Sequence, residues 1–384
     1  MNKNLNFKIV GSGPTGLLLA IALSKLDVNI YLSDLLTREK LVNKDKTYAI
    51  THSTKRILSK FNLWDKLISY LYEFDSLSIS DTVTSDFTIL NTSDLDEDIR
   101  CIETIGWVVK HSDLMNVFFN EVDNIKNINF TSSIESYSRN IYFDYKFIAT
   151  GANSVFQNNG NYFEIKKSYN QSCLTFEVLV RGNICGRAYE IFRKEGPLAL
   201  LPLDENRYQI IWTASTSKSI DRLNSSKNFL LDNLSTIVPE NFKLDQIEGE
   251  INIFPVSFSL CLPILSFSKV LFVGDSFHTF HPVGGQGLNT CWRDVNVIYD
   301  MFKKDISKGS KVLNILKYKY YFKRFIDITS TIVVTDSLIK IFANNNPILL
   351  PLRRSSFLLL NKFYFIRRII LNHMTKSLIF SSIK

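Results

Sequence analysis

The first thirty-four residues contain the feature that most restricts which folds the chain can adopt. An apolar run, FKIV, leads into GSGPTG at 11–16, which is followed by LLLAIALSKL and by a second apolar run, VNIYL. This order predicts a strand, a turn, a helix and a second strand, with Gly11, Gly13 and Gly16 in the GxGxxG spacing. Units of this kind bind the pyrophosphate of a dinucleotide at the helix N-terminus.

Asp34 extends this interpretation to the rest of the dinucleotide. It follows the second predicted strand, eighteen residues beyond Gly16. A carboxylate at that place accepts hydrogen bonds from ribose hydroxyls and disfavours a 2′-phosphate. The sequence therefore favours FAD or NAD over NADP, with a glycine turn that serves only packing as the weaker alternative.

A second glycine-rich segment, GDSFHTFHPVGGQGLNTCWRD at 274–294, follows the apolar run KVLFV. Asp275, His278 and His281 raise the alternative of a metal site. Pro282 disfavours a helix that would place both histidines on one face, and no further His or Cys cluster offers a fourth ligand. The segment instead favours a cofactor loop, with a carboxylate at the end of a strand and glycine amides before the next helix.

Four segments together resemble the class A flavoprotein monooxygenases: GSGPTG, ATGANS, GPLALLPL and the 274–294 segment. Within that family the closest match is the ubiquinone-biosynthesis hydroxylase branch of the UbiH/UbiF/Coq6 type. The resemblance runs from residue 7 to about residue 354, and the 274–294 segment matches the FAD signature of the family.

The fold expected is α/β, with an FAD-binding, Rossmann-like (GR2-type) domain interleaved with an antiparallel β-sheet substrate domain and followed by a helical C-terminal region. Alternation in SCLTFEVLVR and NRYQIIWT independently predicts the antiparallel sheet. The expected FAD-binding domain comprises 1–75, 100–170 and 255–305; the substrate domain comprises 76–99 and 171–254; the C-terminal region comprises 306–384.

The resemblance also implies roles for individual residues. The N-terminal glycines would hold the FAD pyrophosphate, Asp34 the adenosine ribose, and Asp275 the ribityl chain or adjoining phosphate. The loop that begins at Pro282 would face the isoalloxazine ring. The full set of expected cofactor-binding residues is Gly11, Gly13, Pro14, Gly16, Asp34, Lys46, Thr150, Gly151, Gly274, Asp275, Pro282, Gly285, Gly287, Leu288 and Asn289.

His281 and Pro282 are the candidate catalytic residues, as neighbours of the substrate. For His278 and His281 the sequence favours a structural role, in which the rings bond backbone of the loop that begins at Pro282, over proton handling near the substrate, for which His281 is the better candidate. The sequence predicts no metal ligands.

The activity implied is hydroxylation of an aromatic substrate, a polyprenylated phenol on the way to a quinone. FAD would be reduced by NAD(P)H and react with O₂ to a flavin C4a-hydroperoxide, which the phenol attacks. Two alternatives stay open on the same fold: an FAD-dependent reductase or dehydrogenase of an isoprenoid, and a non-catalytic binding protein.

Five positions depart from the pattern of the family. Lys46 replaces an Arg, Thr150 an Asp, and Gln157 another Arg, while Ser276 and Phe277 replace small residues. The Asp is linked in the family to both FAD and nicotinamide binding, so direct reduction by NAD(P)H stays open. Phe277 is expected to reshape the flavin pocket.

Charge and cysteine content suggest a location. Residues 301–384 contain sixteen Lys and Arg against three Asp and Glu, interspersed with apolar residues as in FLLLNKFYFIRRIIL. That mixture is typical of a helix on an anionic membrane surface, although a helix packed on its own protein is equally compatible. The sequence has five Cys without pairing motifs, no signal peptide, no apolar run long enough to cross a bilayer and no nucleic-acid module. We expect a cytoplasmic protein, peripheral on the membrane, as a homo-oligomer or in a biosynthetic complex.

Overall fold

The computed structural model describes residues 5–132, 141–152, 162–181, 186–240, 242–263, 269–305, 310–344 and 346–376. The strands are β1 (Leu5–Val10), β2 (Val28–Ser33), β3 (Thr47–Ile50), β4 (Tyr72–Phe74), β5 (Ser76–Asp81), β6 (Asp86–Asn91), β7 (Gly106–Lys110), β8 (Ile128–Thr131), β9 (Tyr145–Ile148), β10 (Tyr162–Arg181), β11 (Arg187–Phe192), β12 (Leu198–Pro202), β13 (Arg207–Ser215), β14 (Lys243–Pro263), β15 (Val270–Phe272) and β16 (His278–Thr279). The helices are α1 (Pro14–Ser24), α2 (Arg38–Val42), α3 (His52–Lys60), α4 (Trp64–Leu67), α5 (Glu97–Arg100), α6 (His111–Asp123), α7 (Thr216–Leu223), α8 (Lys227–Ser235), α9 (Gln286–Asp305), α10 (Ser310–Phe342), α11 (Leu350–Lys362) and α12 (Tyr364–Lys376).

A five-stranded parallel sheet, in the order β15-β9-β1-β2-β8, forms the first half of the molecule. Parallel sheets are covered on both faces, which fits the apolar composition of β1 and the burial of α1 from Gly16 to Leu23. Because β1, β9 and β15 are parallel neighbours, their carboxyl ends meet at one edge. That edge brings together the GSGPTG turn, Thr150 and Asp275, which lie far apart in sequence.

An eight-stranded sheet, in the order β16-β14-β10-β13-β12-β11-β5-β6, forms the second half. One face is covered by a core that contains Leu174, Ile210 and, from α8, Leu230. The predicted alternation in SCLTFEVLVR and NRYQIIWT corresponds to this buried face. The opposite face turns toward the glycine-rich segments.

The ribbon formed by β10 and β14 joins the two halves. The strands pair antiparallel from Tyr162 to Arg181, with a register shift between Ser168 and Gln171, where Asn170 has a positive φ of 54°. The predicted domain boundaries after residues 170 and 254 therefore fall inside two continuous strands. A bulge bends a strand without ending its pairing, so the chain passes between the halves as one ribbon.

The C-terminal region is helical and packs on both halves. Phe342 of α10 and Phe357 of α11 join Phe192 of β11 and Val283 in one apolar cluster. The stretch 357–371 is divided between two helices that are separated at Phe363. Within the described part of the chain, no helix combines the length and hydropathy that a bilayer crossing requires.

Candidate active site

The turn between β1 and α1 is built around glycines with contrasting surroundings. A Cβ on Gly11 would lie 2.3 Å from the carbonyl oxygen of Ala149, and one on Gly16 would lie 1.8 Å from that of Gly11. At Gly13 nothing lies within 4 Å of that position. Gly13 also precedes Pro14, the first residue of α1, and no side chain caps this helix. The turn leaves open space in front of uncapped helix amides, as a bound phosphate requires.

Two further groups in this turn are suited to a dinucleotide. The hydroxyl of Ser12 is buried and has no hydrogen-bond partner among the described residues. Asp34 accepts hydrogen bonds from the amides of Ser12, at 2.6 Å, and Leu36, at 3.0 Å. Each carboxylate oxygen retains a lone pair, so Asp34 can also accept hydrogen bonds from ribose hydroxyls.

The loop from Pro282 to Leu288 forms a second open edge. Gly284 and Gly285 have positive φ values of 72° and 61°, and nothing lies within 4 Å of a Cβ built on Gly284 or Gly287. Pro282 and residues 284–288 are all partly or fully exposed. The loop runs directly into α9, a helix of twenty residues. The positive N-terminal end of α9 therefore lies beside the open positions at Gly284 and Gly287.

Asn289 holds this loop in place with its side chain. The Oδ1 atom accepts hydrogen bonds from Thr51 and Thr54, and Nδ2 donates to the carbonyl oxygens of Ala49 and Gly285. The residue is fully buried. Any bond that Asn289 makes to a flavin would therefore use its main chain.

Asp275 and Lys46 lie close enough to interact electrostatically at the edge of the parallel sheet. The Lys46 side chain reaches solvent, but protein atoms surround much of it. This partial burial lowers the pKa of its ammonium group, and the negative charge of Asp275 opposes the change. The thiol of Cys291 donates to Asp275 at 3.3 Å. Gly274 has φ 65°, and a Cβ there would lie 2.9 Å from the Thr15 side chain, so the two glycine-rich segments touch.

Two of the departures from the family pattern meet in space. The hydroxyls of Thr150 and Ser276 are 3.4 Å apart, and Ser276 also donates to the carbonyl oxygen of Gly151 at 3.2 Å. Phe277, expected to reshape the flavin pocket, packs its ring on Tyr321 of α10, with centroids 4.8 Å apart. Gln157, another of the five departures, lies outside the described residues.

His278 belongs to a buried network of charges. Its Nε2 atom lies 2.8 Å from Asp294, which also accepts from the amide of Gly274 at 2.9 Å and from Arg324 at 2.5 Å. Arg324 and Arg293 both bind Asp327. The network ties the strand end at Gly274 to α9 and α10.

His281 uses both ring nitrogens within the protein. Nδ1 accepts from the amide of Val283 at 3.2 Å, and Nε2 then donates to Gln171 at 3.3 Å. Burial lowers the pKa of His281 to about 4. The ring bonds the backbone of the loop at Val283, in keeping with a structural role. Among the described residues, no group of three His, Cys, Asp or Glu side chains is arranged to hold a metal ion.

Sequence reasoning passed over a Tyr–His pair beside Lys46. The hydroxyl of Tyr48 donates to Nδ1 of His111 at 2.9 Å, because Nε2 of that ring donates to the carbonyl oxygen of Leu41 at 2.7 Å. Burial raises the pKa of Tyr48 and lowers that of His111 to about 4. Both side chains are therefore neutral at pH 7.

Glu190 is the second residue that sequence reasoning missed. Its neighbours on β11, Tyr189 and Ile191, belong to the core on the far face of the eight-stranded sheet. Side chains alternate along a strand, so Glu190 points toward the flavin loop, where its Oε2 accepts from the amide of Gly284 at 3.4 Å. A carboxylate within the apolar strand AYEIFR was the available signal.

Comparisons with known proteins agree with this architecture. A family model described as squalene epoxidase matches residues 211–371. A Synechocystis protein described as uncharacterized is 25% identical over 78% of this chain and 76% of its own length. The ubiquinone biosynthesis monooxygenase COQ6 of Dictyostelium discoideum is 21% identical over 82% of this chain and 78% of its own length. The chain is a relative of the FAD-dependent monooxygenases.

Solved structures of flavin-dependent enzymes share the fold. The p-nitrophenol 4-monooxygenase PnpA of Pseudomonas putida superposes with a TM-score of 0.76 at 15% identity, over 98% of this chain and 99% of the other. The HpxO variant of Klebsiella pneumoniae, solved with FAD, has a TM-score of 0.71 at 12% identity, over 98% and 99% of the two chains. The predicted fold, the resemblance to the ubiquinone-hydroxylase branch and the class of FAD-dependent oxidoreductase are confirmed.

Proposed function

We propose that this chain hydroxylates the aromatic ring of a prenylated phenol with FAD as its cofactor. The observation that carries the proposal is the open loop at Gly284 facing a partly exposed stretch of the eight-stranded sheet. Sites for small molecules are mostly apolar with a few placed polar groups, and the partly exposed Ile79, Ala199 and Ile211 beside Glu190 give this face of the sheet that character.

The residues present fit FAD. Gly11, Gly13 and Gly16 would hold the pyrophosphate, and Asp34 the adenosine ribose, since the turn offers space, free amides and acceptor oxygens. The edge at Asp275 would receive the ribityl chain, and the start of α9 at Gly287 and Leu288 the polar side of the ring system. Reduced FAD supplies the activation of O₂ and the transfer of one oxygen atom.

The contribution of the protein is to position the two reactants and exclude water. The glycine loop leaves room beside its own amides, while the sheet supplies apolar walls. Such a dry site favours oxygen transfer over loss of the activated oxygen to water.

NAD(P)H is proposed as the source of electrons. Thr150 replaces the acid that the family links to nicotinamide binding, and its hydroxyl is directed at Ser276. A reductant would therefore depend on other contacts, and anaerobic bleaching of the flavin by NADH, by NADPH or by neither distinguishes the donors.

A prenylated substrate gives the C-terminal region a role at a membrane surface. Apolar residues of α12 such as Phe365 and Ile369 are 57% and 63% exposed. Exposed apolar side chains between basic residues favour contact with an anionic interface. We propose peripheral contact through this surface, with vesicle co-sedimentation as its measurement.

The proposal is tested by supplying the FAD-loaded protein with a reductant, ¹⁸O₂ and an ortho-prenylphenol. We expect one heavy oxygen atom in a ring-hydroxylated product. A product that has gained two hydrogens instead would support the isoprenoid reductase. A protein that binds no FAD would support the non-catalytic alternative.

The match to the squalene epoxidase model favours one further candidate. That name describes oxygen transfer to an isoprenoid double bond, and the match covers residues 211–371. The same assay separates the two, because an epoxide in the prenyl tail and a new phenolic hydroxyl fragment differently in a mass spectrometer.

A further inference from the structure

Glu190 lies in the middle of the eight-stranded sheet, on the face that turns toward the flavin loop. Its register partners are Ile79 on β5 and Ala199 on β12, and the row continues through Ile211 on β13 to Thr175 on β10. Register partners share a face. Glu190 is therefore a carboxylate in a row of otherwise uncharged side chains.

This row is partly open, although Ile79 at its end packs against the apolar cluster that contains Phe342 and Val283. All five residues are partly exposed, although their strands are interior strands of the sheet and the other face of β10 to β13 is a buried core. The hydroxyl of Thr175 is buried without a hydrogen-bond partner among the described residues. Space and unused hydrogen-bonding capacity thus lie along one strip of the sheet.

The polar groups that act on Glu190 are few. The amide of Gly284 donates to it, and the pKa of the Cys173 thiol on β10 is raised by burial and also by the nearby charge of Glu190. Burial raises the pKa of Glu190 to about 7, and the Gly284 amide opposes that change. At physiological pH the carboxyl group therefore exists in both protonation states, as a proton acceptor near neutral pH requires.

The other titratable groups near the loop are already engaged. Both nitrogens of His281 are in hydrogen bonds, His278 binds Asp294, and the hydroxyl of Tyr48 donates to His111. Glu190 has one oxygen in a long bond to a loop amide and retains capacity for a ligand.

We propose that Glu190 is the catalytic base that accepts the phenolic proton of the substrate during ring hydroxylation. The inference rests on the proposed function. In this step the O–H bond of the phenol breaks, the proton moves to a carboxylate oxygen, and the electron pair stays on the phenolate and enriches the ring for oxygen transfer. O₂ is the oxidant and reduced FAD supplies the two electrons. One oxygen atom enters the ring, the other leaves as water, and the ring carbon loses its hydrogen as a proton.

The test compares the wild-type enzyme with Glu190→Gln, with Glu177→Gln as the control. Glu177 lies on the same face of the sheet but is paired with Lys110 at 2.9 Å. With an ortho-prenylphenol, we expect Glu190→Gln to lower kcat/KM by roughly 10²–10⁴-fold and to abolish the acid limb of its pH profile. FAD affinity should stay within about twofold, and Glu177→Gln should keep wild-type kinetics.

A ring-fluorinated analogue of the same phenol, which ionises at lower pH, supplies the rescue and a second readout. Already ionised at the assay pH, it should restore most of the rate of Glu190→Gln, because no base is then needed. Its bound ¹⁹F resonance should titrate at higher pH in the wild-type protein than in Glu190→Gln, because a nearby carboxylate disfavours a second anion.

The outcomes separate the two proposals. If the wild-type enzyme hydroxylates neither phenol, the proposed function fails. If it hydroxylates both and Glu190→Gln does so equally fast, or loses activity equally on both phenols with an unchanged ¹⁹F titration, Glu190 is not the base.

Discussion

Gly13 and Gly16 lie three residues apart and have opposite reasons to be glycine. At Gly16 the carbonyl oxygen of Gly11 occupies the space of a side chain, whereas at Gly13 that space is empty. Gly16 therefore serves the packing of α1 against the sheet. Gly13 serves a group that the protein does not itself supply.

Substitution at these two glycines should separate folding from cofactor binding. Gly16→Ala should lower the unfolding free energy by roughly 2 kcal/mol or more, since the clash involves backbone that cannot move freely. Gly13→Val should change it by about 1 kcal/mol or less, because Val is only a poorer helix cap. We expect Gly13→Val to weaken FAD binding at least tenfold, as measured by flavin fluorescence. Equal FAD affinity in wild type and Gly13→Val would contradict this placement of the pyrophosphate.

At the residue scale, sequence analysis identified the residues whose role depends on a local backbone motif. The spacing of the glycines and the distance to Asp34 follow from a local motif. Asn289 is different, because its bonds to Thr51 and Ala49 join residues 238 and 240 positions apart. Glu190 was missed for the same reason, since only the strand register places it opposite Gly284. Roles that depend on tertiary contacts do not follow from local patterns.

At the scale of elements, the buried charges between α9 and α10 connect the C-terminal helices to the flavin segment. Arg293, Asp294, Arg324 and Asp327 are all at most 2% exposed. Burial alone would raise the pKa of Asp327, but Arg293 and Arg324 lower it to about 2. Removing one member of such a network leaves its partners charged and unpaired.

Asp327→Asn should therefore cost about 3–5 kcal/mol of unfolding free energy, measured by chemical denaturation. The matched control is Asp123→Asn, which removes an exposed pair with Arg38 and should cost about 1 kcal/mol or less. Similar losses in the two variants would show that the buried network has no special role in holding α10.

The sequence pattern predicted which face of a strand is buried, but it did not predict where each helix ends. Alternation correctly predicted the core face of β10 and β13, because each apolar residue of that face packs on α8 or its neighbours. The break at Phe363 was not predicted, since residues 357–371 are apolar and basic without a Pro or Gly to end a helix. The break lets Arg367 of α12 reach Asp94 at 2.9 Å.

At the scale of the whole molecule, the C-terminal helices pack against the loop that begins at Pro282. Val283 packs on Phe342, and the side chain of Gln286 donates to the carbonyl oxygen of Met374. Part of the basic excess of this region is neutralised internally, because Arg368 and Lys376 both bind Asp96. The charge count suggested a membrane surface, but it could not reveal this internal pairing.

The stability of the whole protein should fall in mild acid. Burial lowers the pKa of His52, His111 and His281 to about 4, against about 6.5 in an unfolded chain. Between these values the unfolded chain binds more protons, so the stabilisation is complete above about pH 6.5 and is lost as the pH falls toward 4. Each histidine contributes about 1.4 kcal/mol per pH unit in that window.

The change of unfolding free energy with pH is measured by urea unfolding between about pH 4.5 and pH 7, a range chosen from these pKa values. His52→Gln keeps a donor near the carbonyl oxygen of Thr104 and removes one titrating ring. We expect the slope of this variant to be smaller than the wild-type slope by about 1.4 kcal/mol per pH unit. An unchanged slope would mean that His52 is not held neutral in the folded protein.

The account depends on FAD lying across the turn at Gly13 and the loop at Gly284, and equilibrium binding of FAD tests this most directly. Titration of the cofactor-free, folded protein should show saturable binding of about one FAD per chain, with bound flavin giving a shifted visible spectrum. A chain that circular dichroism shows to be folded, but that binds no FAD on titration, would contradict it.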